Sequence, residues 1–70
     1  MRDIYIYRIA VRERLDEYDI NAISPQQIRV VQAGEQLTIF TICADQAGLI
    51  GLLRRLHGRG VTLLSVAREQ

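Results

Sequence analysis

The sequence predicts an α+β domain in which a four-stranded antiparallel sheet of the split β-α-β kind carries one long helix on one face. Three observations predict this class. Four segments are rich in the β-branched and aromatic residues that strands favour, and one segment has the apolar period of a helix. Their order is strand, short helix or loop, strand, strand, helix, strand, which is that of a complete split β-α-β unit. At 70 residues, the chain is expected to form one small domain over residues 1–70.

Two of the predicted strands are apolar on both faces. In the first, over residues 3–12, Tyr5 and Tyr7 lie on one face while isoleucines lie on the other. The strand that begins at Gln36 and runs to Cys43 has the same two-sided pattern, with Phe40 on one of its faces. A strand that is apolar on both sides is typical of the middle of a sheet, so we expect these two strands to be central.

The segment between the first and second strands is ambiguous. Over residues 13–19 an apolar spacing allows one or two helical turns, but the segment is short and rich in acidic residues, so an ordered loop fits equally well. The Ser24-Pro25 step biases Ser24 toward extended geometry. The second strand is predicted over 27–32, and Gly34 then favours a hairpin turn.

The long helix is predicted from Gln46 to about Arg59, with Asp45 as its N-cap. Its buried stripe consists of Leu49, Leu52, Leu53 and Leu56. Gly58 and Gly60 are the two candidate stop positions, and the last strand follows over residues 61–67.

These elements together predict a ferredoxin-like arrangement whose helical layer is incomplete. One long helix is too narrow to cover four strands, so apolar sheet surface should stay open, and such surface usually marks a contact site. The candidate contact residues are Tyr5, Tyr7, Phe40, Ile42 and Ile50. Because so small a domain has little core to stabilise it, we expect it to self-associate as a homodimer through an open sheet face or a strand edge.

Composition excludes several classes of function. Nine basic and eight acidic residues give a net charge of +1, which does not favour binding to nucleic acid or to an acidic membrane surface. The single cysteine excludes an internal disulfide and a site with several thiolates, and no cofactor is expected. The apolar run near the start is too short for a signal peptide or a membrane span. We expect a cytoplasmic protein without membrane contact.

No catalytic constellation can be assembled from the remaining polar residues. His57 is the one histidine and stands near the end of the long helix, where a structural role is expected. The alternation around Cys43 favours burial in the core over a reactive thiol. A weaker alternative to an interaction module is nucleic-acid binding by Arg54, Arg55 and Arg59. The expected function is therefore that of a non-enzymatic interaction module.

The C-terminal third resembles a group of small bacterial proteins, mostly actinobacterial, that have no characterised activity. The shared pattern is Asp-Gln-Ala-x-Leu-x-Gly-Leu-Leu from Asp45, a basic pair, and then Gly-x-x-Leu-Leu-Ser-Val from Gly60. The N-terminal strand is also similar from Tyr7 to Arg12. Two features of that group are absent here, since it has tryptophans near Tyr18 and commonly a histidine where Ile50 stands. The resemblance implies a fold without implying an activity.

A second, more general resemblance is to ACT-type regulatory domains. It is carried by the Asp-x-x-Gly-Leu pattern from Asp45 to Leu49, although Ala47 stands where a proline is usual. In many ACT domains this strand-to-helix turn binds an effector amino acid at a subunit interface. The resemblance implies Asp45, Gln46 and Gly48 as ligand contacts, and a small-molecule sensor as an alternative function.

Overall fold

In the part of the chain that the structure describes, one antiparallel sheet carries two helices on one face. The computed structural model describes residues 3–24 and 27–69. The elements are β1 Tyr5–Val11, α1 Glu17–Ile23, β2 Ile28–Ala33, β3 Thr38–Ala44, α2 Gln46–Gly58 and β4 Leu63–Arg68. The strand order is β2-β3-β1-β4, so the predicted split β-α-β arrangement is confirmed, with β1 and β3 in the centre.

The two faces of the sheet differ in what covers them. On the helix-side face, β1 presents Ile9 and Val11, which pair with Phe40 and Thr38 of β3 and are completely buried. We call the opposite side the bare face, because neither described helix packs on it. Its cross-strand pairs include Ile6 with Cys43 and Ala10 with Ile39.

The core lies between the helices and the helix-side face. Its buried apolar residues are Ile9, Val11, Ile20, Ile28, Phe40, Ile42, Ala44, Leu49, Leu52 and Leu56. Phe40 and Leu52 are completely buried, so the predicted stripe of α2 faces the sheet as expected. Leu53, at the side of that stripe, is only partly buried. This exposure leaves one flank of α2 uncovered.

Both ends of α2 follow the capping chemistry that its sequence predicts. The Asp45 carboxylate accepts a hydrogen bond from the Gly48 N–H at 2.7 Å, as an N-cap should. At the other end the helix stops at Gly58, with Arg59 as its C-cap. Gly60 follows with φ +81°, a left-handed conformation that glycine adopts without steric cost.

The first helix is displaced from the predicted segment. Residues 13–16 are not helical, and α1 begins only at Glu17, with Asp16 as its N-cap. The apolar spacing that suggested earlier turns was misleading, because Tyr18 is 80 % exposed. Ser24 is extended, as expected of a residue before proline, whereas Pro25 itself lies outside the described residues. The last strand likewise begins later than predicted, at Leu63.

Two expectations about the sheet faces are wrong, one for Phe40 and Ile42 and one for Cys43. Phe40 and Ile42 do not line an open surface; they lie on the helix-side face and are buried beneath the helices. Tyr5 and Tyr7 share that same face and are half-buried, since the register places Tyr7 opposite Ile42. Cys43 is exposed on the bare face instead of buried, because the strand alternation that buries Ile42 turns the next residue to the other side.

Candidate interaction surface

Strand β4 is exposed along its whole length. All six of its residues are exposed, although four of the six are apolar. Leu63 and Leu64 are each 47 % exposed and Val66 is 36 % exposed. An edge strand with large apolar side chains in solvent is a template for pairing with another chain. β4 is therefore the clearest candidate for an interaction surface.

The outer side of β4 also presents free backbone positions. The Glu69 N–H donates to the Ile6 carbonyl at 2.7 Å, and hydrogen-bonded pairs alternate along an antiparallel ladder. The backbone groups of Ala67 consequently face β1, whereas those of Val66 and Arg68 face outward. A β-bulge at Leu64 breaks this alternation, since Val11 pairs with Leu63 and Ala10 with Ser65, so Leu64 is not counted among the outward positions. We call this outward side of Leu63–Arg68 the β4 edge.

The edge on the other side of the sheet is protected by α1. The Ile28 N–H donates to Asn21 Oδ1 at 2.7 Å, and Asn21 Nδ2 donates back to the Ile28 carbonyl at 3.0 Å. Next along β2, the Val30 N–H donates to Glu17 Oε2 at 2.8 Å. Side chains of α1 thus occupy both backbone groups of Ile28 and the N–H of Val30 in the first half of β2, whereas the last three residues of the strand are exposed. Within the described residues, α1 protects the first half of the β2 edge, and no comparable side-chain bond covers the β4 edge, which is exposed at all six positions.

An apolar groove continues the β4 edge onto the helices. It lies between α2 and the start of β4 and encloses about 380 Å³. The residues that line this α2 groove are Val11, Ile50, Leu53, Arg54, Leu56, His57, Val61 and Leu63. Ile50 is 42 % exposed there. Of the predicted contact residues, Ile50 is the one whose side chain is exposed in this groove, and Arg54 and His57 line the groove with it.

A polar pocket lies at the opposite end of α2. It encloses about 540 Å³ and is lined by Asp3, Tyr5, Tyr7, Asp45, Gln46, Ala47 and Arg68. The Arg68 guanidinium lies 4.3 Å from the centre of the Tyr5 ring, a cation–π contact that holds the arginine against β1. Two of the ligand contacts implied by the ACT resemblance, Asp45 and Gln46, line this pocket. The third, Gly48, does not, and its N–H is bonded to Asp45.

The loop before α1 and the entry to β4 are held together by a relay of hydrogen bonds. The buried Thr38 hydroxyl donates to the Glu13 carbonyl at 2.8 Å and accepts from the Leu15 N–H at 2.9 Å. The Glu13 carboxylate in turn accepts from the Thr62 N–H at 2.8 Å. That backbone hydrogen bond from Thr62 lowers the pKa of Glu13 below its ordinary 4.5. The relay therefore fixes the residue that leads into β4.

The other candidate residues do not converge on a chemical site. Arg54 lines the α2 groove among apolar side chains, whereas Arg55 and Arg59 line neither that groove nor the polar pocket. On the bare face, Arg8 is paired with Glu69 at 3.1 Å. Within residues 3–24 and 27–69, no group of three or more His, Cys, Asp or Glu side chains could hold a metal ion. None of the helices in those ranges is long and apolar enough to cross a membrane.

The exposed residues of β4 were missed by sequence reasoning, although a signal for them was present. The segment Leu63-Leu64-Ser65-Val66-Ala67 contains no proline and no lysine, the residues that commonly protect an edge strand. The predicted strand order already places the fourth strand at an edge. Combining those two facts would have identified Leu63, Leu64 and Val66 before the two tyrosines.

These features define a class of protein: a small α+β domain with one helical layer and one unprotected sheet edge. A family model described as a domain of unknown function, DUF8691, matches residues 6–67. The chain belongs to this family, and the matched residues extend from β1 into β4. Searches of curated proteins and of solved structures gave no match.

Proposed function

We propose that this protein is a non-enzymatic interaction module that self-associates as a homodimer through the β4 edge. The single observation that carries the proposal is the contrast between the two sheet edges. Asn21 and Glu17 occupy outward backbone groups in the first half of β2, while β4 is exposed at all six positions. A folded domain that protects part of one edge and leaves the whole of the other bare and apolar is suited to strand addition at the bare edge.

The α2 groove is a second reason to propose the β4 edge as the surface of self-association. Exposed strand groups give a partner its backbone hydrogen bonds, whereas specificity in strand addition comes from adjacent side-chain pockets. Ile50 and Leu63 place apolar surface directly beside the β4 edge. Burying that surface against a second protein would add the apolar contact that a domain of this size lacks in its own core. The cytoplasm, where the lone Cys43 would stay reduced, is the proposed location.

Sedimentation velocity over a range of micromolar concentrations tests self-association. We expect the wild-type chain to sediment as a dimer and the Val66→Lys variant as a monomer, because a lysine at the edge opposes strand pairing. Val31→Lys is the matched control, since Val31 is a 53 % exposed valine on the other edge strand; this variant should remain dimeric. A wild-type chain that is monomeric throughout, or a Val66→Lys variant that is as dimeric as the wild type, would overturn the proposal.

A second candidate function is the binding of a small amino acid in the polar pocket of α2, in the manner of an ACT-like sensor. The observation that favours it is the juxtaposition of Arg68 with Asp45 and Gln46, because a cation and an anion together suit the two charged groups of an amino acid. Thermal unfolding in the presence of individual amino acids tests it. A ligand at 100 times its Kd adds ~2.7 kcal/mol to the free energy of unfolding, and Arg68→Ala should abolish that gain.

A further inference from the structure

The α2 groove is a cleft with one wall from α2 and the other from β4 and the turn before it. Four residues that recur at intervals of three and four positions share one face of the helix and line the groove: Ile50, Leu53, Arg54 and His57. From the first to the last of them the helix rises roughly 10 Å, at 1.5 Å per residue. The groove therefore runs along about two turns of α2.

The interior of the groove is apolar because it lies where the helical cover of the sheet is incomplete. The helix approaches β3 more closely than β4, and Leu53 on its flank is only partly buried. About 380 Å³ stays open beside the buried Val11. Small-molecule sites are typically clefts of about 300–1,000 Å³ with a mostly hydrophobic lining and a few polar groups, and the α2 groove has these properties.

The ionisable residues that line the groove, Arg54 and His57, are both basic. Within residues 3–24 and 27–69, neither side chain has a hydrogen bond or an ion pair. Arg8, by contrast, is paired with Glu69. No described acidic residue lines the groove. The groove therefore combines apolar surface with positive charge that the described residues do not neutralise.

We propose that the α2 groove binds a small molecule that consists of an apolar chain ending in a carboxylate, such as a medium-chain fatty acid. The carboxylate accepts hydrogen bonds from the Arg54 guanidinium, whose planar fork matches the geometry of a carboxylate. The chain lies along Ile50 and Leu53, where its burial removes apolar surface of both molecules from water.

The placement of the charge favours a single carboxylate over an acidic partner helix. Arg54 and His57 lie three residues apart, which is about one helical turn, so the groove offers one point for an anion instead of an extended basic stripe. A ligand in the groove contacts side chains and leaves the outward backbone groups of Val66 and Arg68 unoccupied. This inference therefore goes beyond the proposed self-association and does not depend on it.

Titration of the wild-type chain with sodium octanoate, followed by heteronuclear NMR at a fixed protein concentration, tests the proposal. We expect saturable chemical-shift changes that are largest at Ile50, Leu53 and Leu63. Octylammonium has the same chain with a cation in place of the carboxylate, and it should bind roughly fivefold more weakly or worse, because it meets Arg54 as a like charge. Sodium acetate, which lacks the chain, should give no saturable change.

Two arginine variants supply the matched comparison. Arg54→Ala should weaken octanoate binding by roughly fivefold or more. Arg55→Ala removes the same charge from the next position of α2, at an exposed residue that does not line the groove, and should bind octanoate as the wild type does. Shift changes that do not saturate, equal binding of octanoate and octylammonium, or equal effects of the two substitutions would each overturn the proposal. Shift changes centred on the polar pocket would overturn it as well, because they would place the ligand at the other end of α2.

Discussion

Replacing the buried Thr38 by valine should destabilise the domain far more than its conservative chemistry implies. The side chain is completely buried, and its hydroxyl serves the loop before α1 twice, through the Glu13 carbonyl and the Leu15 N–H. Valine has nearly the same volume, so the change creates no cavity. It leaves one backbone acceptor and one backbone donor without their partner, in surroundings that are only partly open to water.

The magnitude follows from the cost of leaving such groups unsatisfied, which is about 1–3 kcal/mol. For a domain of this size that corresponds to a fall in melting temperature of roughly 5–20 °C. The matched control is Thr41→Val, because Thr41 lies on the same strand but on the bare face, opposite Arg8. The control should change the free energy of unfolding by less than about 0.5 kcal/mol.

Urea unfolding followed by circular dichroism measures both variants, made in the Val66→Lys background so that association does not enter. A Thr38→Val protein as stable as its parent would refute the idea that this hydroxyl anchors the loop. Equal destabilisation by Thr38→Val and Thr41→Val would refute it as well, because the effect would then come from the strand and not from the relay.

The remaining predictions concern the hydrogen bonds between Asn21 and β2, the turn at Gly60 and the carboxylate of Glu13. Asn21→Ala should lower the free energy of unfolding by about 1–3 kcal/mol, since it removes the partner of both backbone groups of Ile28. Turbidity on heating should also increase, because more of the β2 edge becomes open. Unchanged stability would show that these hydrogen bonds do not stabilise the domain. Gly60→Ala should lower the free energy of unfolding by about 1–2 kcal/mol because φ is +81°. Gly58→Ala, whose new Cβ meets nothing within 4 Å, should be neutral or stabilising by up to about 1 kcal/mol. Equal effects of the two variants in thermal melts would contradict this. The pKa of Glu13 in the folded protein lies below 4.5, so its contribution to stability is complete above that pH and is lost as the pH falls through the folded pKa. Glu13→Gln should therefore weaken the dependence of the melting temperature on acid pH. An unchanged dependence would count against the hydrogen bond to Thr62.

Much of the fold could be predicted because local and long-range signals agree. The N-cap at Asp45, the apolar stripe of α2 and the left-handed Gly60 each follow from residue chemistry that acts within a few positions. The central place of β1 and β3 follows from their two-sided apolar character. Each of these residues is of a type that strongly favours one local environment (a helix N-cap, a buried helix face or a left-handed turn), and the fold places each residue in that environment.

The errors arose where the sequence pattern has two solutions. A strand that is apolar on both faces does not reveal which face the helices cover, so Phe40 and Ile42 could be assigned to either side. The same ambiguity misplaced Cys43, which shares a strand with them. The start of α1 was missed because the stretch before Glu17 is ordered by the Thr38 hydroxyl, a contact 23 and 25 residues away in sequence that no local period reveals.

The surface itself was predicted only in outline. An incompletely covered sheet was expected, but three of the five expected contact residues were aromatic, and the protein uses one of these, Tyr5, to hold Arg68. The β4 edge can be recognised as the open edge only once the hydrogen bonds between Asn21 and the β2 edge are known. Edge protection is a property of the whole sheet, and it cannot be read from β4 alone.

Amide hydrogen exchange at β4, followed by NMR as a function of protein concentration, tests the central claim most directly. The Val66 N–H points outward in the isolated chain, whereas the Ala67 N–H is bonded to β1 whether or not a second copy is present. We predict that exchange at Val66 slows as the protein is concentrated, while exchange at Ala67 changes much less. An exchange rate at Val66 that is independent of concentration, in samples that span the micromolar range, would contradict the assignment of β4 as the self-association edge.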